Sequence, residues 1–474
     1  MRPSFTVSPG LRYENQDNID SHLNIAPRIG FAWSPSWGSG KKPATPEVKV
    51  AKESPVPADT KSAPAAPAKP AKPPRFKTVM RGGFGVFYNR ISEDLVLQSL
   101  RFNGLNQRQF VVTDTAVLDL FPAVPAIEAL SAFAQPQTRR FLDSQLSPSA
   151  SLRSSFSLEQ QLDQNLKLTV TYYHTRTQRT SRTVNINAPL AATGLRPLGQ
   201  SEGNILESQS NGRTVSNSVS FGLNGTIKKV NFWSNYNLSR SRNTDGGSSS
   251  SPFDPYDFSN EWSRSPFTSR HSLWAGGYYQ TKSLISINAF MIAFSGRPFD
   301  ITTGRDTNRD NSFAERPGFA TDLNKPGVVV TPLGAFDPNP VPGQQIIPRN
   351  FGIGPSFISL NLGLEKTFKF GRAIPPKSPP VGGGSVVTTT APATATTSTS
   401  TKPPEKPPIQ RPYSFGISLY ASNVLNHANK ANPVGNMASP FFLQSTSLSN
   451  NFFFGPGGVA AGNRQITARV RLSF

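Results

Sequence analysis

Apolar and polar side chains alternate without a break along the last stretch of the chain. Ile466, Ala468, Val470, Leu472 and Phe474 fall on one parity, and Thr467, Arg469, Arg471 and Ser473 on the other. Neighbouring side chains of a strand point to opposite faces, so the pattern predicts a strand with one apolar and one polar face. Alternation alone fits an amphipathic strand of a soluble sandwich as well as a strand that turns its apolar face to lipid.

The same period recurs upstream. Phe5–Tyr13 alternates, and Pro27–Pro35 follows a polar turn as its antiparallel partner. Arg75–Tyr88 is the next strand, with Val79, Gly83, Gly85 and Phe87 on one parity. Leu152–Leu162 and Lys167–Arg182 form a hairpin over Asp163-Gln164-Asn165. Val215–Ile227 and Val230–Leu238 turn at Lys228-Lys229, and Ser272–Gln280 and Leu284–Phe294 turn at Thr281-Lys282-Ser283. Phe357–Phe370 sets Ile358, Leu360, Leu362, Leu364, Phe368 and Phe370 on one face, and Tyr413–Ala421 alternates before the terminal strand. Between these segments, Ser92–Ser149 (helical around Asp94–Leu100), Asn187–Thr214, Asn243–Ser269, Ser295–Gly354 and Asn426–Asn463 read as long loops.

About twelve strands with short turns on one side and long loops on the other is the pattern of an antiparallel transmembrane β-barrel. The chain therefore reads as all-β, a portion of such a barrel with long outer loops and two disordered inserts. Residues 1–36 carry strands, and 37–76 are a Lys/Pro/Ala-rich insert. Residues 77–372 carry strands and outer loops, 373–411 are a Pro/Thr-rich insert, and 412–474 hold the C-terminal strands. Neither insert has the apolar content to offset the entropy of ordering it. Both fall on the side where turns are otherwise short.

Composition narrows the function classes. Hydrophobic residues make up 36% of the 474-residue chain, and no run approaches the roughly 18 apolar residues of a spanning helix. Barrel strands, which spread apolarity over alternate positions, stay compatible with that. Cysteine is absent, which removes disulfides, thiol nucleophiles and thiolate metal sites. The net charge of +21 comes partly from the first insert and partly from arginines scattered on strands. With no basic helix or nucleic-acid motif, a nucleic-acid partner is not expected. Met1-Arg2-Pro3 runs straight into the first strand without a charged and apolar leader, so the chain reads as the C-terminal part of a longer protein.

Candidate chemistry is sparse. His22, His174, His271 and His427 are scattered, and no nucleophile elbow, Walker loop, dinucleotide fingerprint or HExxH occurs, so an enzyme is not expected. Glu365, Lys369, Arg469 and Arg471 fall on the inward parity, where a polar lumen alone accounts for them. Asp306, Asn308, Asp310 and Ser312 space their oxygens like the first half of a calcium loop. Asn311 replaces the usual glycine and Pro317 the closing glutamate, which leaves Glu315 as a substitute. A polar turn held by Asx hydrogen bonds explains the same residues. No other cofactor is indicated.

Several stretches resemble the Oar-like branch of TonB-dependent outer-membrane transporters. They are Pro27-Arg28-Ile29-Gly30-Phe31-Ala32-Trp33-Ser34-Pro35, Arg81-Gly82-Gly83-Phe84-Gly85-Val86-Phe87-Tyr88 and Asn185-Ile186-Asn187-Ala188-Pro189. Ser295-Gly296-Arg297-Pro298-Phe299, Thr303-Gly304-Arg305-Asp306-Thr307-Asn308, Ile347-Pro348-Arg349-Asn350-Phe351-Gly352 and the terminal strand complete the set. The resemblance implies a large barrel in the cell outer membrane that takes up a substrate of unknown identity. It also implies an N-terminal plug that contacts the TonB complex and is not visible here. Phe474 resembles the C-terminal signal read by the barrel-assembly machinery, and outer-membrane lipid is the other expected partner. A structural or adhesive outer-membrane barrel is the alternative.

Overall fold

The computed structural model describes residues 4–19, 21–35, 77–107, 110, 112, 114–123, 125–133, 136–245, 251–307, 312–372, 411–449 and 461–474. Apart from Arg411, the inserts expected at 37–76 and 373–411 lie outside the described residues. Twelve long strands form one antiparallel meander in which each pairs with its neighbours in chain order. They are β1 (Phe5–Gln16), β2 (Ser21–Trp33), β3 (Thr78–Asn89), β4 (Ser149–Asp163), β5 (Leu166–Asn185) and β6 (Ile205–Ile227). The second half holds β7 (Val230–Asn243), β8 (His271–Gln280), β9 (Ile285–Phe294), β10 (Phe357–Phe370), β11 (Tyr413–Ser422) and β12 (Gln465–Ser473). The tight turns β4–β5, β6–β7 and β8–β9 share one rim with the end of β2, the start of β3, the end of β10 and the start of β11. The long connections lie at the opposite rim.

The register joins the apolar parities of neighbouring strands into one continuous face. Leu472, Val470, Ala468 and Ile466 of β12 stand beside Phe415, Ile417, Leu419 and Ala421 of β11. Those stand beside Phe368, Lys366, Leu364 and Leu362 of β10. The face runs on through Ile287, Tyr279, Val230 and their neighbours to Phe5, Val7, Pro9 and Leu11 of β1. Some of its aromatic residues pair near the turn rim, where Phe370 stacks on Tyr413 at 5.6 Å and Phe368 lies 6.2 Å from Phe415, and others mid-sheet, as Phe221 and Tyr236 do at 6.2 Å. Lys366, a cation on this face, holds its ammonium 4.9 Å from the Phe368 ring. A long side chain near the rim reaches the interface in this way.

Burial is inverted relative to a soluble sheet. On β10, Leu362 and Leu364 are 39% and 44% exposed, whereas Ser359 and Asn361 on the opposite parity are 1% and 8% exposed. Ser151, Thr171, Ser272 and Ser418 are likewise buried on the polar face. Hydroxyls there pair across strands, as in Ser157–Thr171 at 2.9 Å and Ser216–Ser241 at 2.6 Å. An apolar surface of this extent is not left open to water. It fits lipid outside and a polar lumen inside.

β6 begins at Ile205, inside the stretch expected to be loop from Asn187 to Thr214. β5 and β6 are 20 and 23 residues long, where about 10 tilted residues cross the hydrocarbon. Their surplus projects beyond the membrane on the loop side. The added residues, Glu207-Ser208-Gln209-Ser210-Asn211, need no lipid-facing apolar positions and so lack the alternation that marks the other strands. In the stretch from Ser92 to Ser149, the helical signal becomes α1 (Glu93–Arg101), with acidic residues in its first turn and Arg101 in its last. Two shorter helices follow, α2 (Thr115–Leu118) and α3 (Ile127–Phe133).

Leu364→Arg places a cation in the middle of the apolar face and is expected to cost about 2–4 kcal/mol near the bilayer midplane. Glu365→Leu on the lumen side is expected to cost little. The heat-shift of the folded barrel on electrophoresis reads both. Equal loss of the folded band in the two variants would contradict the facing.

Candidate functional site: inner wall and loop cap

The inner face of β7 to β11 carries an aromatic groove of about 1030 Å³. Trp233, Trp274, Tyr278, Phe290 and Tyr420 line it, with Asn231, Asn235, Asn288, Asn361 and Glu365 between them. Two rings lie flat because the neighbouring strand offers a glycine beneath each. A Cβ on Gly276 would stand 2.6 Å from the Trp233 indole nitrogen, and one on Gly363 would stand 2.8 Å from the Tyr420 ring. Flat aromatic surface flanked by amides and a carboxylate suits solutes with apolar faces and polar edges. Glu365 faces this groove from the inward parity expected of it. Arg469 follows in the same inner row, opposite Ser418, with Arg471 opposite Gly416 and Lys369 opposite Ser414. No signal in the sequence singled out the groove, since its partners meet only through the register.

At the loop rim the long connections fold into a cap. Phe299, Ile301, Phe336 and Ile347 are buried together, with Phe319, Phe351, Met437, Phe442 and Leu443 packed on them. The β9–β10 and β11–β12 connections are also joined by backbone: Thr302 N–H donates to Gly435 O and Met437 N–H to Thr302 O, both at 2.9 Å. Ala461 reaches down onto Ile292 and Phe357 of the inner wall. The described residues of 295–354 thus form a folded layer with its own core.

A knot of buried charge ties the cap to the strand ends. Arg316 Nη2 donates to Glu261 Oε1 at 2.9 Å, and Arg349 Nε lies 3.4 Å from Glu261 Oε2. Arg349 Nη2 also donates to Asn243 O at 2.9 Å and Oδ1 at 2.7 Å, while Arg182 Nη2 donates to Thr244 O at 2.8 Å. The arginines lean on rings, Arg182 over Phe258 at 4.4 Å and Arg316 over Phe253 at 5.1 Å. Burial lowers the pKa of Arg349 against the pull of Glu261, Asp300 and Asp245. Burial also raises the Asp300 carboxyl above the usual range, although Arg316, the Asn350 amide and Arg349 oppose it. Asp337 goes the other way. Burial disfavours its charge, but hydrogen bonds from Lys325, the Asn339 amide and Gln344 outweigh that and hold it low.

Several stretches that carried the sequence resemblance do this structural work. Asn187, fully buried, donates to Gly199 O at 3.1 Å and Gly203 O at 2.8 Å and accepts from Leu198 N–H. Arg349 belongs to the charge knot, and Phe299 to the cap core. The histidines are dispersed: His174 meets Asn217 at 2.8 Å, His271 meets Tyr236 at 2.7 Å, and His22 meets Asn15 at 3.1 Å.

Of the calcium-loop residues, Asp306 and Ser312 are described, whereas Asn308 and Asp310 lie outside the described residues. Glu315 Oε1, the oxygen that would close such a loop, accepts the Thr307 amide at 2.9 Å. Among the described residues no group of three or more His, Asp or Glu side chains is placed to hold a metal ion. Phe474 stands at the turn rim with its side chain 99% exposed.

Glu261→Gln leaves two buried guanidiniums without their carboxylate and is expected to destabilise the cap by about 3–5 kcal/mol. Amide hydrogen exchange in residues 296–354 should speed up while exchange in β4 and β5 stays slow. Unchanged protection in the cap would contradict the knot. For Asp300, the folded pKa lies above the unfolded one, so the cap loses stability as pH rises through the folded value. Asp300→Asn should flatten that slope. A slope equal to the parent's would show that another group sets it.

The family model described as outer membrane beta barrel domain matches residues 71–374. No curated protein matches the chain. Among solved structures, the outer membrane transporter YddB from Escherichia coli is similar at 11% identity and a TM-score of 0.50, over 99% of this chain and 43% of that one. The siderophore receptor PirA from Acinetobacter baumannii has 10% identity and a TM-score of 0.45, over 99% of this chain and 44% of that one. The chain thus spans less than half the length of these structures. The YddB likeness is one of fold, and the match of the family model covers most of the strands described above. The chain belongs to the family of outer-membrane β-barrel domains, and its place is the outer membrane.

Proposed function

We propose that the chain forms barrel wall and outer loops of a TonB-dependent transporter that takes up a solute across the outer membrane. The observation that carries this reading is the inverted burial, exposed leucines on one face of β10 and buried serine and asparagine on the other. A sheet so built encloses a polar passage. The aromatic groove and the cap then lie along the route of the solute. No bond is made or broken. Energy would come from the TonB complex through a plug domain. The cap, which presents a folded outer surface, favours one further reading, an adhesive barrel that holds other surfaces.

The two readings separate on TonB. The full-length product is expected to retain the periplasmic domain of TonB in a pull-down. Failure to do so, with cell-to-surface binding intact, would favour adhesion. Phe474 is proposed as the element read by the barrel-assembly machinery. Its deletion is expected to lower the amount of heat-shifted, membrane-inserted protein several-fold, whereas Ser473→Ala should not. Equal insertion of the deleted and parent chains would remove that role.

A further inference from the structure

The inner wall at the start of the sheet has a second depression, of about 720 Å³, between β1 and β6. Its floor is bare because glycines stand where side chains would fill it. Gly30 and Gly83 face each other across β2 and β3. A Cβ on Gly10 would meet nothing within 4 Å, and on Gly30 or Gly83 nothing nearer than 3.6 Å. Ser155 and Tyr173 continue the Gly30–Gly83 row on β4 and β5.

Two arginines overhang this floor. Arg28, Gly85 and Arg153 are in register across β2, β3 and β4. Both guanidiniums lean on the same ring, Arg28 at 4.3 Å and Arg153 at 5.0 Å from the centroid of Phe87. Neither has an ion-pair partner among the described residues, and no Asp or Glu lines the depression. Arg28 Nε is buried without a hydrogen-bond partner. The wall treats a nearby cation differently: Arg81 of β3 is paired with Glu159, which Lys167 also approaches at 3.7 Å. Two like charges held over one ring beside empty space, with hydroxyls of Ser155, Tyr173 and Thr175 opposite, are arranged for an incoming negative charge.

The geometry points to a binding site for a small multiply charged anion, a polycarboxylate or a phosphate, on the inner wall at Arg28, Arg153 and the Gly30–Gly83 floor. The Phe87 ring fixes the two guanidiniums, and the glycines let the anion approach the backbone. The site deepens the transport reading by naming a substrate class, and rests on it only for the idea that the inner face is a passage.

Titration calorimetry of the full chain in detergent micelles tests it, with citrate and pyrophosphate as the two probes and glycerol as a neutral control. Binding of at least one anion, weakened at least tenfold in the Arg28→Gln/Arg153→Gln double variant, is expected. Gly83→Leu, which keeps both charges and fills the floor, is expected to weaken it as much. Binding of citrate alone marks a carboxylate site, and of pyrophosphate alone a phosphate site. If the double variant loses the heat-shift of the folded barrel, the single variant Arg153→Gln, altered at an exposed side chain, carries the comparison. No binding of either anion, equal binding of glycerol, or affinity unchanged in Gly83→Leu would overturn the site. Because micelle binding involves no transport, a positive result with no TonB retention would leave the site and remove the transport reading.

Discussion

A peptide group in hydrocarbon has no water to bond, so each backbone N–H and C=O that crosses a membrane must find its partner within the protein. The rest of this structure follows from that constraint. Strands satisfy it by pairing laterally, and a meander of twelve lets each pair with its neighbours in chain order. Once paired, alternate side chains are committed to opposite faces. Lipid takes the apolar parity, and the hydroxyl and amide pairs of the other parity turn inward. A shift of one residue in any strand would exchange the faces, so the register of Leu364 between Ile287 and Leu419 is specified by the bilayer itself.

The loop side is freed from that constraint and is built by other means. There the chain leaves the bilayer, alternation fades, and order comes from a local apolar core and a buried charge knot. Replacing buried ion pairs with apolar contacts is often neutral or stabilising, so the knot is better understood as fixing geometry than as adding net stability. Glu261 receives both Arg316 and Arg349, and Arg349 reaches Asn243 at the end of β7. One carboxylate therefore sets the position of two connections against a strand end. The aromatic groove lies on the inner wall under a cap held in this way.

The membrane strands were legible in the sequence because lipid imposes a period on them. Phe357–Phe370, the terminal strand and the hairpin at Thr281 follow the sequence pattern almost to the residue, and at Lys228 the turn itself does, although β7 runs on to Asn243. The start of β6 does not follow it, because Glu207 to Asn211 stand outside the bilayer and carry no apolar parity. The cap has no such signature in the sequence, because its core residues, Phe299, Phe336 and Ile347, are far apart along the chain and follow no period. The groove was hidden for a related reason. Trp233 lies flat only because Gly276 is its cross-strand neighbour, a relation that needs the register and not the composition. The inward placement of Glu365 and Arg469, which depends on parity alone, was readable.

The central claim is that this sheet spans a bilayer with its even β10 positions in lipid and its odd positions in the lumen. The chain has no cysteine, so single cysteines introduced one at a time from position 364 to 369, where the odd positions 365, 367 and 369 are exposed, report without background. In liposomes, a membrane-impermeant maleimide should label the odd positions, and a lipid-borne quencher should reach probes at the even ones, with period two throughout. Uniform labelling of both parities, or quenching that follows the odd positions, would contradict the account.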